Sequence, residues 1–272
     1  MALVLVSNEP LQLIQDYAMF VFLGIVGAVF ASATGAGGGV VFVPFFEQLN
    51  FDTTHIVATS FAIQCFGMTA GAISWFWFRK QHKEADPEWQ TLACVLKRSV
   101  PFSILGILLV QYGGISVPHN LHTSFGLFSV VLAISIFASI PMYRKSQFRH
   151  QIAKVDDLWL PIVSLLGGVI TGWLSVGVGE LVAIYLIFRG FNVSFAIASA
   201  VILSAFSVWG GVVYHLFISQ GVYWPILAFA GLGAVIGGSV ARYLVLYFSV
   251  TKLKMFFAAW VLLMGLAAMP IW

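Results

Sequence analysis

The sequence predicts an all-α polytopic membrane protein made of two inverted repeats, each a glycine-broken helical hairpin followed by three transmembrane helices. Three observations predict this fold class. Of the 272 residues, 60% are hydrophobic and only 8% are charged, against about 25% charged in an ordinary soluble domain. Apolar stretches long enough to cross a bilayer recur along the chain. Two of these stretches carry glycine clusters of the kind that interrupts a helix.

The apolar stretches indicate helices that cross or enter a bilayer. About 20 helical residues span a hydrocarbon core of about 30 Å. The stretches are continuously apolar and lack the alternation that membrane strands require. With a mean hydropathy of +0.98, the chain needs lipid as its solvent. The stretches cover residues 18–46, 54–78, 99–117, 121–143, 158–188, 193–218, 222–247 and 253–272.

The first and fifth stretches contain the interruptions. Residues 35–39 read Gly-Ala-Gly-Gly-Gly, with Pro44 soon after, and residues 177–180 read Gly-Val-Gly-Glu. Each glycine costs a helix about 1 kcal/mol relative to alanine. We therefore predict that each stretch forms two arms joined at a break, as one hairpin over residues 18–50 and another over residues 158–190.

The basic residues discriminate between two topologies. If the two interrupted stretches are hairpins and the other six stretches cross the membrane, all 13 Lys and Arg residues fall at cytoplasmic ends, as the positive-inside rule prefers. Both termini then lie outside. A rival topology of eight plain crossings leaves Arg189, Arg242, Lys252 and Lys254 outside. The charge pattern therefore favours the hairpin topology.

The two halves of the chain resemble each other, which predicts a duplication. Residues 35–38 align with residues 177–180, and the two repeats cover residues 1–150 and 151–272. Each repeat has a hairpin and three crossings. Because three is odd, we expect the second repeat to be inverted relative to the first. Inverted repeats with interrupted segments at matching positions are typical of secondary transporters, in which the interruptions mark the binding site.

At these residues the chain resembles the sulfite exporter TauE/SafE family. That family carries a duplicated glycine-rich motif, roughly G-x-G-G-G followed by a Pro, and residues 34–44 match it as Thr-Gly-Ala-Gly-Gly-Gly-Val-Val-Phe-Val-Pro. The second copy differs, since Glu180 and Leu181 replace glycines and Leu186 stands where the Pro would be. The resemblance extends over nearly the whole chain. It implies export of small sulfur oxyanions or organosulfonates.

The glycine breaks are the predicted substrate-binding site. Helix N-termini expose backbone N–H groups and carry about half a positive charge, so they bind anions without Lys or Arg. Glycine lets an oxyanion approach this backbone closely. The alternative is that the glycines serve only close packing or a sharp reversal of the chain. We expect the hydroxyls of Ser32 and Thr34 to assist. The predicted backbone contacts come from Gly35, Gly37, Gly38, Gly39, Gly177 and Gly179.

A polar stripe follows the first hairpin. Ser60, Gln64, Gly67 and Gly71 share one helical face, at spacings i, i+4, i+7 and i+11. The counterparts in the second half, at the same spacing, are Ala200, Ser204, Ser207 and Gly211. Such a stripe is costly against lipid, so it should face protein or a water-filled path. The alternative is interhelical hydrogen bonding and packing. Four members of the stripes are predicted to bind substrate: Ser60, Gln64, Ser204 and Ser207.

Glu180 is the acidic residue that lies inside an apolar stretch beside a helix break. Ionisable residues within a membrane are rare and usually functional. A carboxyl group removed from water tends to carry a proton. We therefore predict a proton-coupling role for Glu180, with capping of nearby N–H groups as the alternative.

Taken together, the residues and the resemblance predict a secondary transporter that exports a small anion, such as sulfite or an organosulfonate, bound between the two hairpins and open to proton coupling. A passive anion channel and a proton-coupled anion importer are the alternatives. The apolar stretches contain no clustered His, Asp and Glu and no Ser-His-Asp arrangement. We therefore expect no enzyme, no catalytic residue, no cofactor and no metal.

The expected partners are the small anionic substrate and the lipid bilayer. A homo-oligomer is left open, and no nucleic acid is expected, because the basic residues sit in a few short loops. The expected location is the bacterial inner membrane, as a multi-pass protein. Six aromatic residues are expected in the interfacial belts of the bilayer: Trp75, Trp77, Trp89, Trp159, Tyr223 and Trp224.

Overall fold

The computed structural model describes residues 10–82, 87–115, 121–143 and 149–267. Within these residues every regular element is an α-helix, which confirms the predicted class. The first half contains α1 (Pro10–Tyr17), α2 (Met19–Thr34), α3 (Gly39–Gln48), α4 (Thr53–His82), α5 (Glu88–Gly113) and α6 (Leu121–Tyr143). The second half contains α7 (Asp156–Leu174), α8 (Val178–Phe188), α9 (Val193–Phe217), α10 (Trp224–Tyr247) and α11 (Val250–Ala267).

Several of these helices can cross a membrane. Among the described residues, five helices are long and apolar enough, namely α4, α5, α7, α9 and α10. The pair α1 and α2, bent by 42°, makes a sixth span if it is taken as one. In contrast, α3 and α8 have only 10 and 11 residues, or about 15–17 Å of helix, which is half the hydrocarbon core. The chain is therefore a multi-pass membrane protein, and each hairpin has a short second arm.

Both predicted breaks are present. α2 ends at Thr34, and Gly35 follows with a φ of +79°, in the left-handed region that glycine tolerates. α7 ends at Leu174, after which Ser175 has a φ of +60° and Gly177 a φ of +143°. Each break thus reverses the chain and opens the N-terminus of a new helix toward the protein interior.

The first arm of the first hairpin packs on a helix of the second half. A Cβ atom placed at Gly233 of α10 would lie 2.0 Å from the carbonyl oxygen of Val21 in α2. One placed at Gly237 would lie 2.2 Å from the carbonyl oxygen of Ile25. Both contact positions advance together along the chain, so α2 and α10 run parallel. Gly233 and Gly237 form a small-residue face of the kind that lets membrane helices approach closely.

Gly233→Ala is expected to destabilise the protein by about 1–3 kcal/mol, because the new methyl group forces two packed backbones apart. Gly231→Ala on the same helix is the matched control, since its Cβ would lie 3.3 Å from the Phe66 ring, which is a side chain that can shift. Thermal unfolding in detergent measures both. Equal melting temperatures for the two variants would contradict the close α2–α10 contact.

The second hairpin repeats this arrangement with a helix of the first half. Arg98 of α5 pairs with Asp157 at the start of α7 across 2.7 Å. Further along, a Cβ atom at Gly172 would lie 3.0 Å from Val110. α5 and α7 are therefore parallel, as α2 and α10 are. The first arm of each hairpin therefore packs against a helix of the other half of the chain.

One end of the helix bundle, here the first end, carries the entrance of the first hairpin. The hydroxyl groups of Tyr17 and Tyr223, which precede α2 and α10, are hydrogen-bonded at 2.9 Å. The ring of His55, in the first turn of α4, donates through Nδ1 to the carbonyl of Gly221 at 2.7 Å. The helices α2, α4 and α10 therefore begin at the first end.

The opposite end, here the second end, carries the entrance of the second hairpin. Trp89 at the start of α5 stacks on Trp75 in the last part of α4 and packs edge-on against Phe195 at the start of α9. The hairpins thus enter from opposite ends of the bundle, and the inverted repeat stays a prediction. Trp75 and Trp89 are fully buried, so their assignment to an interfacial belt was wrong. A belt requires residues that face lipid, whereas these two join three helices.

The described basic residues gather at the second end. Arg242, in the last turns of α10, donates to the carbonyl of Ser74 near the end of α4 at 2.7 Å. None of the described Lys or Arg residues lies at the first end. This segregation is what the hairpin topology requires of a membrane protein. The residues concerned are Arg79, Lys80, Lys97, Arg98, Arg149, Lys154, Arg189, Arg242 and Lys252.

Candidate functional site

The two hairpin breaks meet inside the bundle. A Cβ atom at Gly179 would lie 2.2 Å from the carbonyl oxygen of Gly35, and one at Gly39 would lie 2.4 Å from the carbonyl oxygen of Ser175. Real Cβ atoms do not approach a backbone oxygen so closely, so these two positions require glycine. The direct backbone contact explains why each half of the chain has a glycine cluster at this point.

Glu180 joins the two breaks through both of its carboxylate oxygens. Its Oε1 accepts the backbone N–H of Gly37 at 2.8 Å, and its Oε2 accepts the backbone N–H of Gly177 at 2.8 Å. Only 2% of Glu180 is exposed. The carboxylate therefore sits between two helix N-termini, where a negative charge is stabilised.

Gln64 of α4 ties the same two breaks together from the side. Its Oε1 accepts the N–H of Gly38 at 2.8 Å, while its Nε2 donates to the carbonyl oxygen of Ser175 at 3.0 Å and to the Ser175 hydroxyl at 2.8 Å. The Ser175 hydroxyl in turn donates to the Ser60 hydroxyl at 2.9 Å. Ser60 and Gln64, both predicted from the stripe, thus lie at the junction.

Two threonine hydroxyls accept hydrogen bonds from further backbone N–H groups at the breaks. The hydroxyl of Thr34 accepts the N–H of Ala36 at 3.2 Å, and the hydroxyl of Thr171 accepts the N–H of Val178 at 2.9 Å. Thr34 was predicted as a site residue, whereas Thr171 and Ser175 were not. The available signal for both was a hydroxyl side chain next to the second glycine cluster, with Thr171 in the last turn of α7 and Ser175 directly after that helix.

A cavity of about 10 Å³ lies beside Glu180, a size that holds roughly one water molecule. Glu180 is the one ionisable side chain among the described residues that line it. The hydroxyl of Ser204 also lines the cavity, is 2% exposed, and has no hydrogen-bond partner within the described part of the chain. The full lining is Gly37, Gln64, Thr171, Ser175, Val176, Gly177, Val178, Gly179, Glu180, Ser204 and Val208.

Two predicted site residues lie apart from the breaks. Ser32 directs its hydroxyl at the sulfur of Met68 at 3.8 Å, and Ser207 is hydrogen-bonded to the hydroxyl of Ser103 at 2.7 Å. A Cβ at Gly71 would lie 2.7 Å from the Ser32 hydroxyl. The far half of each stripe therefore packs helices together, and only its near half reaches the junction.

A charged cluster closes the second hairpin at its rim. Asp156, at the start of α7, accepts a hydrogen bond from Arg189 Nε at 2.6 Å and from the Tyr185 hydroxyl at 2.5 Å. Asp156 is 1% exposed. Since Tyr185 and Arg189 lie at the end of α8, the cluster fastens the two arms to each other. Asn192 and Asp52, other rim residues, cap α9 and α4.

The described residues hold no group of three or more His, Cys, Asp or Glu side chains that could bind a metal. The polar groups in the lining of the junction are amide, hydroxyl and carboxylate groups. Amide N–H and hydroxyl groups can donate hydrogen bonds to an oxyanion, and a carboxylate can accept a proton.

The fold and the site define a multi-pass α-helical membrane protein in which two broken hairpins meet at one buried polar point. Such paired breaks are typical of secondary transporters. The family model of the sulfite exporter TauE/SafE family matches residues 20–268. The chain therefore belongs to that family, a family of membrane transporters of sulfur anions. No curated protein and no solved structure matches the chain.

Proposed function

We propose that the protein is a secondary transporter that exports a small sulfur oxyanion, sulfite or an organosulfonate, bound between the two hairpin breaks. One observation carries the proposal. Backbone N–H groups of both breaks, Gly37 and Gly177, converge on the two oxygens of a single carboxylate. The same pair of donors suits the oxygens of a sulfite or sulfonate group, because both are oxyanions.

The chemistry of the junction fits a small anion that must be released again. The described lining has no Lys or Arg, so binding relies on helix N-termini and neutral donors. A full positive charge at this buried site would bind an anion tightly. The partial charges of helix N-termini bind it more weakly, so that it can be released. Conduction or transport requires a site that is favourable to enter and weak enough to leave.

The direction follows from the membrane potential. We place the second end, which carries the basic residues, in the bacterial cytoplasm. An interior that is negative by 100 mV then drives each negative charge outward by about 2.3 kcal/mol. Efflux needs no further energy source. Import would need a coupled cation, and Glu180, the ionisable group at the junction, is the residue through which a proton would couple.

Reconstituted liposomes test the proposal. We expect saturable flux of sulfite, or of an organosulfonate such as methanesulfonate, when the purified chain is present, and less flux of sulfate and chloride. Flux that fails to saturate and follows the electrodiffusive limit would support the passive channel instead. An absence of flux for all of the sulfur oxyanions would refute the proposed function.

Proton coupling has a separate test. If Glu180 carries the proton, the flux of the wild-type protein should respond to an imposed pH gradient, and Glu180→Gln should remove that response while flux driven by the anion gradient persists. An unchanged response in Glu180→Gln would exclude this residue as the coupling group.

A further inference from the structure

We propose that the carboxylate of Glu180 is a tethered occupant of the anion site, which the transported anion must displace in order to bind. This inference rests on the proposed function and deepens it. The structure then represents the closed, self-occupied form of the junction, in which the protein supplies its own anion.

Capping alone does not explain the contacts of Glu180. A glutamate in the first turn of a helix often accepts the N–H of its own N-cap residue, and Glu180 does so with Gly177. Its other oxygen accepts the N–H of Gly37, which belongs to the other hairpin and lies 143 residues away in sequence. A second bond across the junction gives the carboxylate the position of a bound ligand.

The alignment of the two glycine motifs also indicates that Glu180 takes the place of a ligand. Residue 180 aligns with Gly38 of the first copy, which has no side chain to place between the breaks. A glycine at residue 180 would leave the N–H groups of Gly37 and Gly177 without this acceptor. The second copy of the motif therefore has a side chain that fills the site, whereas the first copy has none at the matching position.

The hydroxyl of Ser204 is a third hydrogen-bond donor beside Glu180. The hydroxyl of Ser204 lines the cavity beside Glu180 and is unpartnered within the described residues, although it is almost fully buried. Buried hydroxyls normally find a partner. Together with the N–H groups of Gly37 and Gly177 it makes three donors, one for each oxygen of a sulfite ion or a sulfonate group.

No other charged side chain of the described residues lines the cavity around Glu180. The neighbours that line the cavity come from the two breaks, from α4 through Gln64, from α7 through Thr171 and from α9 through Ser204. All of these are neutral. Because no described lining residue is a cation, the carboxylate and the substrate compete for the same few donors.

The experiment measures sulfite binding to the purified full-length chain at one fixed pH, by calorimetry and by thermal shift. Glu180→Ala frees both N–H groups, and we expect it to bind sulfite about tenfold more tightly, or better, than the wild type, since charge-assisted hydrogen bonds no longer compete. Glu180→Gln should be intermediate, because one amide oxygen replaces two carboxylate oxygens. Glu47→Gln, the same change at the end of α3 and outside the cavity lining, should bind like the wild type.

The inference is overturned if both Glu180 variants bind sulfite as weakly as the wild type or more weakly. Should Glu180→Ala fail to fold, the isosteric Glu180→Gln decides by itself. Failure of the inference differs from failure of the proposed function. Unchanged affinity beside normal sulfite flux refutes only the tethered occupant, whereas no sulfite binding by any variant and no flux by the wild type refute both.

Discussion

Gly179→Ala is expected to reduce sulfite flux in liposomes by about a hundredfold, because small misplacements of a positioned site cost that much. The added Cβ would lie 2.2 Å from the carbonyl oxygen of Gly35 and 2.6 Å from the hydroxyl of Ser204. The first of these atoms is backbone and cannot move alone. The two breaks must therefore separate, and the N–H groups of Gly37 and Gly177 no longer converge on one oxyanion.

Gly113→Ala is the matched control for this change. Its Cβ would lie 3.5 Å from the side chain of Ile115, an ordinary contact at the end of α5. We expect flux close to that of the wild type. If Gly179→Ala also transported normally, with unchanged thermal stability, the contact between the breaks would have no part in transport.

The second large effect is expected for Gln64→Leu. The leucine can neither accept from the N–H of Gly38 nor donate to the carbonyl oxygen of Ser175, so two buried backbone groups lose their partner. Each unsatisfied group costs about 1–3 kcal/mol, which gives a loss of roughly 2–6 kcal/mol in the free energy of unfolding. Thermal unfolding in detergent measures this loss, and the stabilisation by added sulfite should vanish with it.

Gln111→Leu is the matched control, because it removes a buried hydrogen bond outside the junction. Gln111 is also buried and donates to the carbonyl oxygen of Gly211 at 3.0 Å, but it lies outside the cavity lining. We expect lower stability together with a preserved thermal shift by sulfite, since binding to the native state stabilises by mass action. A loss of the sulfite shift in Gln111→Leu as well would show that the shift does not report on the junction.

The sequence was sufficient to predict the helical class, the two breaks and several residues of the candidate site. A lipid environment demands continuous apolar helices, so spans can be recognised without knowing what packs against them. Glycine clusters break helices for local reasons, and the clusters at residues 35–39 and 177–180 predicted the breaks, which lie at residues 35–38 and 175–177. Gln64 and Glu180 stood out because polar groups inside apolar helices need a partner.

The partners themselves could not be predicted, because they depend on tertiary packing. The bond from Gly37 to Glu180 and the bonds from Gln64 to Ser175 join residues more than 100 positions apart. Nothing in the local pattern distinguished Ser207, which pairs with Ser103, from Ser204, which lines the cavity. Likewise, Trp75 had the flanking position of a belt residue and is instead a core residue.

The parallel pairing of α2 with α10 has a consequence for biogenesis. The first hairpin leaves the ribosome early, whereas the helix that covers its first arm is made only after the second hairpin. Until then the face of α2 that contacts α10 is open to lipid or a membrane insertase. The nascent protein therefore covers the first arm of its first hairpin only after α10 has been made, and a product truncated before α10 would insert with that arm uncovered.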